Sequence, residues 1–286
     1  MTQQALLLQL TTQLQNAGIP DAAFDAKELL YAVLCTDATG YLLHQFDVVS
    51  DETVLAATEL IQRRIGGEPL QYLLGKWDFL DDSFLVGPGV LIPRPETEEL
   101  VLSCEERLQS FAAPVIVDLC AGSGCIGLTL QKRLPYASVF LIEKSPDAMR
   151  FLRRNAQKLL LDQKVQILEG DVLQGATAFS TLPKADVIIS NPPYICADEF
   201  AALQREVQRE PRMALDGGPD GLDFYRCFAK DWTSNLKDGG FFAFECGEGQ
   251  GCAIAALFEK DGFTSHVEMD YHGFDRYVFA MKSRKD

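Results

Sequence analysis

The sequence has little positive charge. Its 26 Lys and Arg residues face 41 Asp and Glu residues, for a formal net charge of −15. Proteins that bind a phosphate backbone need clustered Lys and Arg. The balance therefore argues against direct contact with nucleic acid and favours a small-molecule or protein partner. Metal ligands are also sparse, since there are only three histidines and no two of the eight cysteines form a C-x-x-C pair. We therefore expect no metal site.

Long apolar runs are missing as well. No stretch has the roughly 18 apolar residues that a membrane span needs, and the N-terminus lacks the basic start and long apolar core of a signal peptide. Several cysteines lie in apolar runs, so we expect reduced, buried thiols in a cytoplasmic protein. The length of 286 residues favours two domains as a prior.

The first part of the chain has a helical pattern. Leucines recur at helical spacing over residues 6–14, and further helices are predicted over residues 21–34 and 51–65. We predict a helical domain over residues 1–72. It is either a small bundle without chemistry of its own or a module that docks a partner.

A change of period separates this block from the rest. Apolar residues flank Asp81-Asp82, which predicts a β-hairpin within a linker over residues 73–92. The third segment, residues 93–286, opens with "PRPETE", in which Pro95 suits the first turn of a helix. This segment either lines the mouth of a site or is simply a helix start.

Strands alternate with helices in the third segment, which predicts an α/β fold with a mostly parallel, doubly wound sheet. The predicted strands cover residues 115–119, 139–142, 165–168, 187–189 and 240–245, followed by a C-terminal pair at 264–269 and 277–281.

The first of these strands leads into a glycine-rich loop, "VDLCAGSGCIG", that opens a helix. Gly122, Gly124 and Gly127 satisfy G-x-G-x-x-G, the pattern of a loop that lets backbone approach a ligand closely. Glu143 ends the next strand, where its carboxylate can accept hydrogen bonds from both hydroxyls of a ribose. A dinucleotide enzyme and an S-adenosylmethionine enzyme both need these features, so the glycine loop and Glu143 do not distinguish between the two classes of enzyme.

Asp171 and Val172 follow the third strand. In methyltransferase-like sheets this position meets the adenine, where Asp171 would accept from the exocyclic amine and Val172 would pack on the ring. The alternative is that Asp171 is a plain turn residue.

The fourth strand ends in Asn191-Pro192-Pro193-Tyr194, at the edge where a doubly wound sheet binds its ligand. Methyl transfer to a planar nitrogen explains this tetrad, whereas a dehydrogenase has no evident use for it. The Asn191 side-chain oxygen can accept one N–H of a planar NH2 group, and the Pro192 carbonyl can accept the other. Tyr194 offers a flat surface. These three residues are the predicted catalytic residues, and all four are predicted to bind the substrate.

Several longer segments carry a family resemblance. They are "GEPLQYLLGKWDF", "LIPRPETEELV", "DLCAGSGCIG", "SNPPYI", "EPRMALDGGPDGLDFYR" and "DRYVFA". On these motifs the chain resembles the release-factor glutamine methyltransferases, the HemK/PrmC family. The resemblance implies a helical N-terminal domain, a hairpin linker and a Rossmann-like methyltransferase domain. It also implies S-adenosyl-L-methionine as the methyl donor and class-1 peptide chain release factors as protein substrates. The acceptor would be the side-chain amide nitrogen (N5) of the glutamine in their Gly-Gly-Gln loop.

The resemblance also implies roles for individual residues. The tetrad at Asn191 would bind the substrate amide, with Asn191 also close to the cofactor, and Glu210-Pro211-Arg212 would either buttress the Asn191 loop through an Arg212 ion pair or form a surface turn. The family loop commonly reads Gly-x-Gly-x-Gly, and here it departs by starting with Cys120. The implied cofactor-binding residues are Cys120, Ala121, Gly122, Ser123, Gly124, Glu143, Asp171 and Val172.

Three rival functions stay open at this stage. The nearest is a methyltransferase with another acceptor, either a ribosomal-protein glutamine or a nucleobase amine. A second is an NAD-dependent oxidoreductase that uses the glycine loop, for which no catalytic Tyr-x-x-x-Lys or His–Asp pair is evident. The third is a binding module without catalysis.

Overall fold

The computed structural model describes residues 1–283, which form two compact units. One unit consists of Met1–Lys76 together with Gln204–Arg209, and the other of Trp77–Leu203 together with the chain from Glu210 onward. Among residues 1–283, none of the helices has the length and apolar character that crossing a membrane requires.

The first unit is helical, and its core is a stripe of apolar side chains. Leu6, Leu10 and Leu14 recur at helical spacing and are fully buried. Side-chain caps fix where two helices begin, since Thr2 accepts from Ala5 N–H at 3.2 Å and Ser50 accepts from Thr53 N–H at 3.2 Å. The helices are α1 (Gln3–Asn16), α2 (Ala22–Leu34), α3 (Ala38–His44), α4 (Asp51–Ile65) and α5 (Leu70–Leu74).

A buried arginine organises this unit. The guanidinium of Arg64, in the last turn of α4, lies 2.6 Å from the Asp25 carboxylate of α2 and 2.6 Å from the carboxylate of Glu206. Arg209 also donates to the Gly66 carbonyl at 3.2 Å. A buried charge requires such partners, so the short segment at 204–209 belongs with the helices by chemistry as well as by proximity.

The second unit has a β-hairpin followed by an α/β domain. The hairpin strands are β1 (Lys76–Phe79) and β2 (Asp82–Leu85). The sheet strands are β3 (Val115–Leu119), β4 (Ser138–Glu143), β5 (Val165–Glu169), β6 (Ala185–Ser190), β7 (Leu236–Glu245), β8 (Phe263–Met269) and β9 (Asp275–Lys282). The helices are α6 (Pro95–Leu108), α7 (Cys125–Arg133), α8 (Pro146–Lys158), α9 (Asp223–Cys227) and α10 (Gly251–Glu259).

The seven-stranded sheet has the order β5-β4-β3-β6-β7-β9-β8. The strands from β3 to β7 are parallel, and β9 runs antiparallel between β7 and β8. Strand order reverses direction at β3, because β4 lies on one side of it and β6 on the other. This arrangement confirms the doubly wound α/β fold, and it predicts a ligand crevice at the carboxyl ends of β3, β4 and β6.

The hairpin is fastened to the α/β domain by polar contacts. Lys132 of α7 lies 2.6 Å from the Asp82 carboxylate. The Asn155 side chain of α8 accepts from Leu85 N–H at 2.7 Å and donates to the Leu85 carbonyl at 3.1 Å. The Asn155 side chain therefore pairs with the backbone N–H and carbonyl of Leu85 in β2, as a neighbouring strand would.

Candidate active site

A cavity of about 960 Å³, open solvent included, lies at the carboxyl ends of the parallel strands. It is lined by predicted site residues from every strand end concerned: Cys120, Ala121, Gly122, Ser123, Glu143, Asp171, Val172, Asn191 and Pro193. Gly124, Pro192 and Tyr194 lie outside this lining.

The glycine loop between β3 and α7 has an unusual backbone. Gly122 and Gly124 have φ of 57° and 84°, and Cys120 has φ of 62° although it is not a glycine. A Cβ atom at Gly124 would lie 2.4 Å from Leu152 Cδ1 and 2.8 Å from Leu128 Cδ1. Gly124 is therefore needed for packing and conformation, while Cys120 carries a left-handed conformation at a steric cost.

Three N–H groups of this loop are hydrogen-bonded within the protein. Ala121 N–H donates to the Ile142 carbonyl at 3.0 Å, Gly122 N–H to Glu143 Oε2 at 2.7 Å, and Gly124 N–H to the Ala121 carbonyl at 2.8 Å. A dinucleotide site needs free N–H groups at this turn to hold a pyrophosphate. The N–H groups of Ala121, Gly122 and Gly124 are therefore not available to a pyrophosphate, which counts against the dinucleotide interpretation of G-x-G-x-x-G.

Glu143, at the end of β4, is buried and also shapes the turn that follows. Its Oε1 accepts from Lys144 N–H at 2.8 Å and from Ser145 N–H at 2.6 Å, while Oε2 accepts from Gly122. A carboxylate has about four acceptor positions, so these contacts leave Oε2 free to accept one further donor from the cavity.

Asp171, at the end of β5, is held as a carboxylate. Burial alone would raise its pKa, but the hydrogen bond from Lys144 and that from Leu173 N–H outweigh burial and lower the pKa. The Lys144 ammonium lies 2.7 Å from Asp171 Oδ2. Val172 is buried beside it, and its carbonyl accepts from Trp232 Nε1 at 3.0 Å. An ionised acceptor and an apolar side chain therefore stand next to each other on the wall.

Asn191, just beyond the end of β6, is connected to two buried residues. Its Nδ2 donates to Thr97 Oγ1 at 3.0 Å, and Thr97 Oγ1 in turn donates to Glu245 Oε2 at 2.6 Å. Thr97 belongs to the first turn of α6 and also lines the cavity, and Glu245 is the last residue of β7. The amide nitrogen of Asn191 is thereby fixed from behind.

Tyr194 and Pro192 are placed differently from Asn191. The Tyr194 hydroxyl lies 3.4 Å from Glu245 Oε1, and its carbonyl accepts from Gln250 Nε2 at 3.0 Å. Pro192 is buried. The flat surface expected of Tyr194 and the acceptor expected of the Pro192 carbonyl therefore stay predictions.

The "PRPETE" segment lines the cavity through Arg94 and Thr97. Arg94 forms an ion pair with the buried carboxylate of Glu210, which also accepts from Ile92 N–H at 3.0 Å. Arg212, predicted to brace the Asn191 loop, instead pairs with Asp216 at 3.3 Å. Glu210 of "EPR" therefore holds residues 92 and 94 rather than the Asn191 loop, and the exposed Arg212 fits the alternative of a surface turn.

Sequence reasoning missed Glu245, and it named Thr97 and Glu210 only as parts of "PRPETE" and "EPR", without the contacts that they make. For Glu245 a signal existed in the topology, since Ser190 of β6 pairs with Phe244 of β7 and the next residues are Asn191 and Glu245. The motifs do not reveal the partners of Thr97 and Glu210, because each partner lies about a hundred residues away in the chain.

Two family models match the chain. The PrmC N-terminal domain matches residues 5–75, and the methyltransferase small domain matches residues 99–218. The chain is 38% identical over 269 residues to a release factor glutamine methyltransferase of Geobacter sulfurreducens, covering 93% of this chain and 91% of that one. This chain belongs to the release factor glutamine methyltransferase family. A second member, from Moorella thermoacetica, is 36% identical and covers 99% of both chains.

Solved structures outside this family share the fold. The 16S rRNA methyltransferase of T. thermophilus, in complex with AdoMet and guanosine, is 21% identical, with a TM-score of 0.51 over 72% of this chain and 49% of that one. The hMettl16 catalytic domain is 15% identical, with a TM-score of 0.54, and covers 83% of this chain and 84% of that one. These neighbours place the sheet among Rossmann-like methyltransferases.

Proposed function

We propose that this protein transfers a methyl group from S-adenosyl-L-methionine to the N5 nitrogen of the glutamine in the Gly-Gly-Gln loop of class-1 peptide chain release factors. The observation that carries this proposal is the Asn191 carboxamide, which lines the cavity and has its NH2 group tied to Thr97. The names of relatives that are similar over nearly the whole chain, both release factor glutamine methyltransferases, support the choice of substrate.

The cavity suits the proposed cofactor. Glu143 Oε2 has one acceptor position left for a ribose hydroxyl, and the ionised Asp171 suits an adenine amine. Val172 provides an apolar surface for the ring, while the loop from Cys120 to Gly124 brings backbone close to the methionine part. The cofactor supplies an activated methyl group on a cationic sulfonium. Since Lys144 and Arg94 are both paired with carboxylates, the lining suits such a cation better than a phosphate.

The acceptor amide is a poor nucleophile because its lone pair is delocalised, so its position decides the rate. Asn191 Oδ1 would accept one N–H, and the carbonyl of Pro192 would accept the other. Holding the nitrogen in line with the methyl carbon can supply about 7–11 kcal/mol of the barrier. No strong base is required before attack, because the added proton becomes acidic once the nitrogen is cationic.

The helical unit is proposed to dock the release factor, in line with the predicted domains 1–72, 73–92 and 93–286. Exposed apolar side chains support this, since Leu43, Phe46 and Val48 are 76%, 70% and 78% exposed. Such patches mark interaction sites. We expect Phe46→Ser to raise KM for a whole release factor on the order of 10-fold, as for a moderate hot spot, without changing KM for a short Gly-Gly-Gln peptide. An equal rise with both substrates would contradict docking.

All eight cysteines are free, which is in keeping with a cytoplasmic enzyme.

The decisive experiment is mass spectrometry of a release factor after incubation with the protein and S-adenosyl-L-methionine. We expect one methyl group on the glutamine of the Gly-Gly-Gln loop, and none when that glutamine is replaced by asparagine. Ribosomal proteins and ribosomal RNA incubated in parallel test the alternative acceptors. Methyl transfer to one of these, with the release factor unmodified, would reassign the substrate.

A further inference from the structure

A chain of hydrogen bonds behind Asn191 has a defined direction. A carboxylate only accepts hydrogen bonds, so the contact of 2.6 Å between Thr97 Oγ1 and Glu245 Oε2 uses the single hydroxyl proton of Thr97. Thr97 Oγ1 is then left as an acceptor toward Asn191. The group of Asn191 that lies 3.0 Å away must therefore be its NH2.

We propose that Glu245 is a positioning residue, which acts through Thr97 to keep the Asn191 carboxamide oriented with Oδ1 available for an N–H of the acceptor amide. This inference rests on the proposed function, because only an acceptor that carries N–H groups needs Oδ1 rather than NH2 at this position. If the Asn191 carboxamide were turned over, its NH2 group would face the NH2 group of the acceptor amide, and neither could accept a hydrogen bond.

The surroundings hold both members of the relay in place. Glu245 is fixed at the end of β7, where the Tyr225 hydroxyl donates to its carbonyl at 2.6 Å and the Tyr194 hydroxyl lies 3.4 Å from Oε1. Thr97 is fixed in α6, where its own N–H donates to the Arg94 carbonyl at 3.1 Å. Both side chains are buried, so water does not compete for these bonds.

Protonation of Glu245 removes the reason for this direction. A protonated carboxyl can donate to Thr97 Oγ1, which frees the Thr97 proton to bond Asn191 Oδ1. The carboxamide can then turn its NH2 toward the cavity. Burial raises the pKa of Glu245 to about 7, against the lowering effects of Thr97, Arg276 and Tyr194. The other titratable groups whose charge is coupled to that of Glu245 are Glu96, Cys125, Tyr225, Cys246 and Tyr277.

The pH dependence of kcat follows from the direction of this pKa shift. Because the pKa is raised, the fraction of enzyme with a carboxylate at Glu245 falls as the pH drops through about 7. We expect kcat to fall with it. Glu245→Gln keeps the shape but replaces a group that only accepts with one that can also donate to Thr97, as a protonated carboxyl can, and it does so at every pH.

The test compares three variants of the relay and one control variant with the wild type across about pH 6 to 9, using a Gly-Gly-Gln peptide as substrate. Glu245→Gln and Thr97→Val should each lower kcat on the order of 10²-fold at the upper end, as for loss of one well-aimed hydrogen-bonding group. KM should change far less, and the fall of kcat toward acid should disappear. Thr97→Ser keeps the hydroxyl and should retain both the rate and the acid fall. The exposed Glu106 of α6 provides a control, since Glu106→Gln should behave as the wild type.

A merely structural role would lower the melting temperature and leave the pH profile in place, and that result would overturn the proposal. So would a Glu245→Gln variant that keeps wild-type kcat. A wild type without activity on the peptide would count against the proposed function, and a second readout distinguishes the two failures.

This second readout needs no turnover. In the free protein at about pH 8.5, nuclear Overhauser contacts should join the Asn191 NH2 protons to the Thr97 side chain, and they should be lost in Glu245→Gln. Their persistence in that variant would show that Glu245 does not set the orientation of the carboxamide.

Discussion

The two sides of the cavity are built in different ways. On the side proposed to bind the cofactor, backbone N–H groups hold Glu143, two from the residues that follow it and one from Gly122 of the glycine loop. On the acceptor side, side chains from separate elements hold one another, since Asn191 depends on Thr97 of α6 and on Glu245 of β7. A turn closed by its own backbone tolerates change elsewhere, whereas a relay of side chains fails if any member is replaced.

The largest effect is expected on the acceptor side. Asn191→Ala removes the proposed acceptor for the substrate amide, so kcat should fall on the order of 10²–10³-fold. Affinity for S-adenosylhomocysteine, measured by calorimetry, should stay within about twofold because the cofactor side keeps its backbone contacts. Asn235→Ala, at a half-buried asparagine outside the cavity lining, serves as the control. A parallel loss of cofactor affinity would show that the two sides are not separable.

A smaller effect, on cofactor affinity rather than on kcat, is expected on the side proposed to bind the cofactor. Glu143→Gln places an NH2 group against backbone donors and removes a charged acceptor, which should weaken S-adenosylhomocysteine binding by about 1.5–3 kcal/mol. Glu169 of β5 provides a matched control, because it pairs with Glu143 in the sheet and is exposed. Equal losses in Glu143→Gln and Glu169→Gln would mean that charge at this edge matters more than the specific contacts.

The smallest effect concerns stability rather than activity. Gly124→Ala should lower the free energy of unfolding by about 1–3 kcal/mol more than Gly262→Ala. Both glycines have positive φ, 84° and 80°, but only Gly124 has leucine side chains where a Cβ would lie. Chemical denaturation of both variants measures the difference. Equal losses would mean that Leu128 and Leu152 move aside, and that only backbone strain counts.

Sequence patterns predicted the elements better than the contacts between them. The strand at 115–119 and the helix at 51–65 match β3 and α4, because local periodicity and capping residues set their limits. The short helices α3 and α5 were not predicted, since seven and five residues carry too little periodicity. Likewise, Asn191 was recognisable from its motif, but its hydrogen-bonded connection through Thr97 to Glu245 was not, because tertiary folding brings these three side chains together.

One feature of the helical unit bears on how this protein can be dissected. The segment Gln204–Arg209 belongs to the helical unit, although the chain on both sides of it belongs to the α/β unit. Within the helical unit, Glu206 of this segment forms an ion pair with the buried Arg64. A single cut after Lys76 would therefore not yield two intact halves, since the N-terminal fragment would lack one of the anions that neutralise this guanidinium. Studies of the separate helical unit need a fragment that also retains residues 204–209, or a replacement of Arg64 that needs no carboxylate partner.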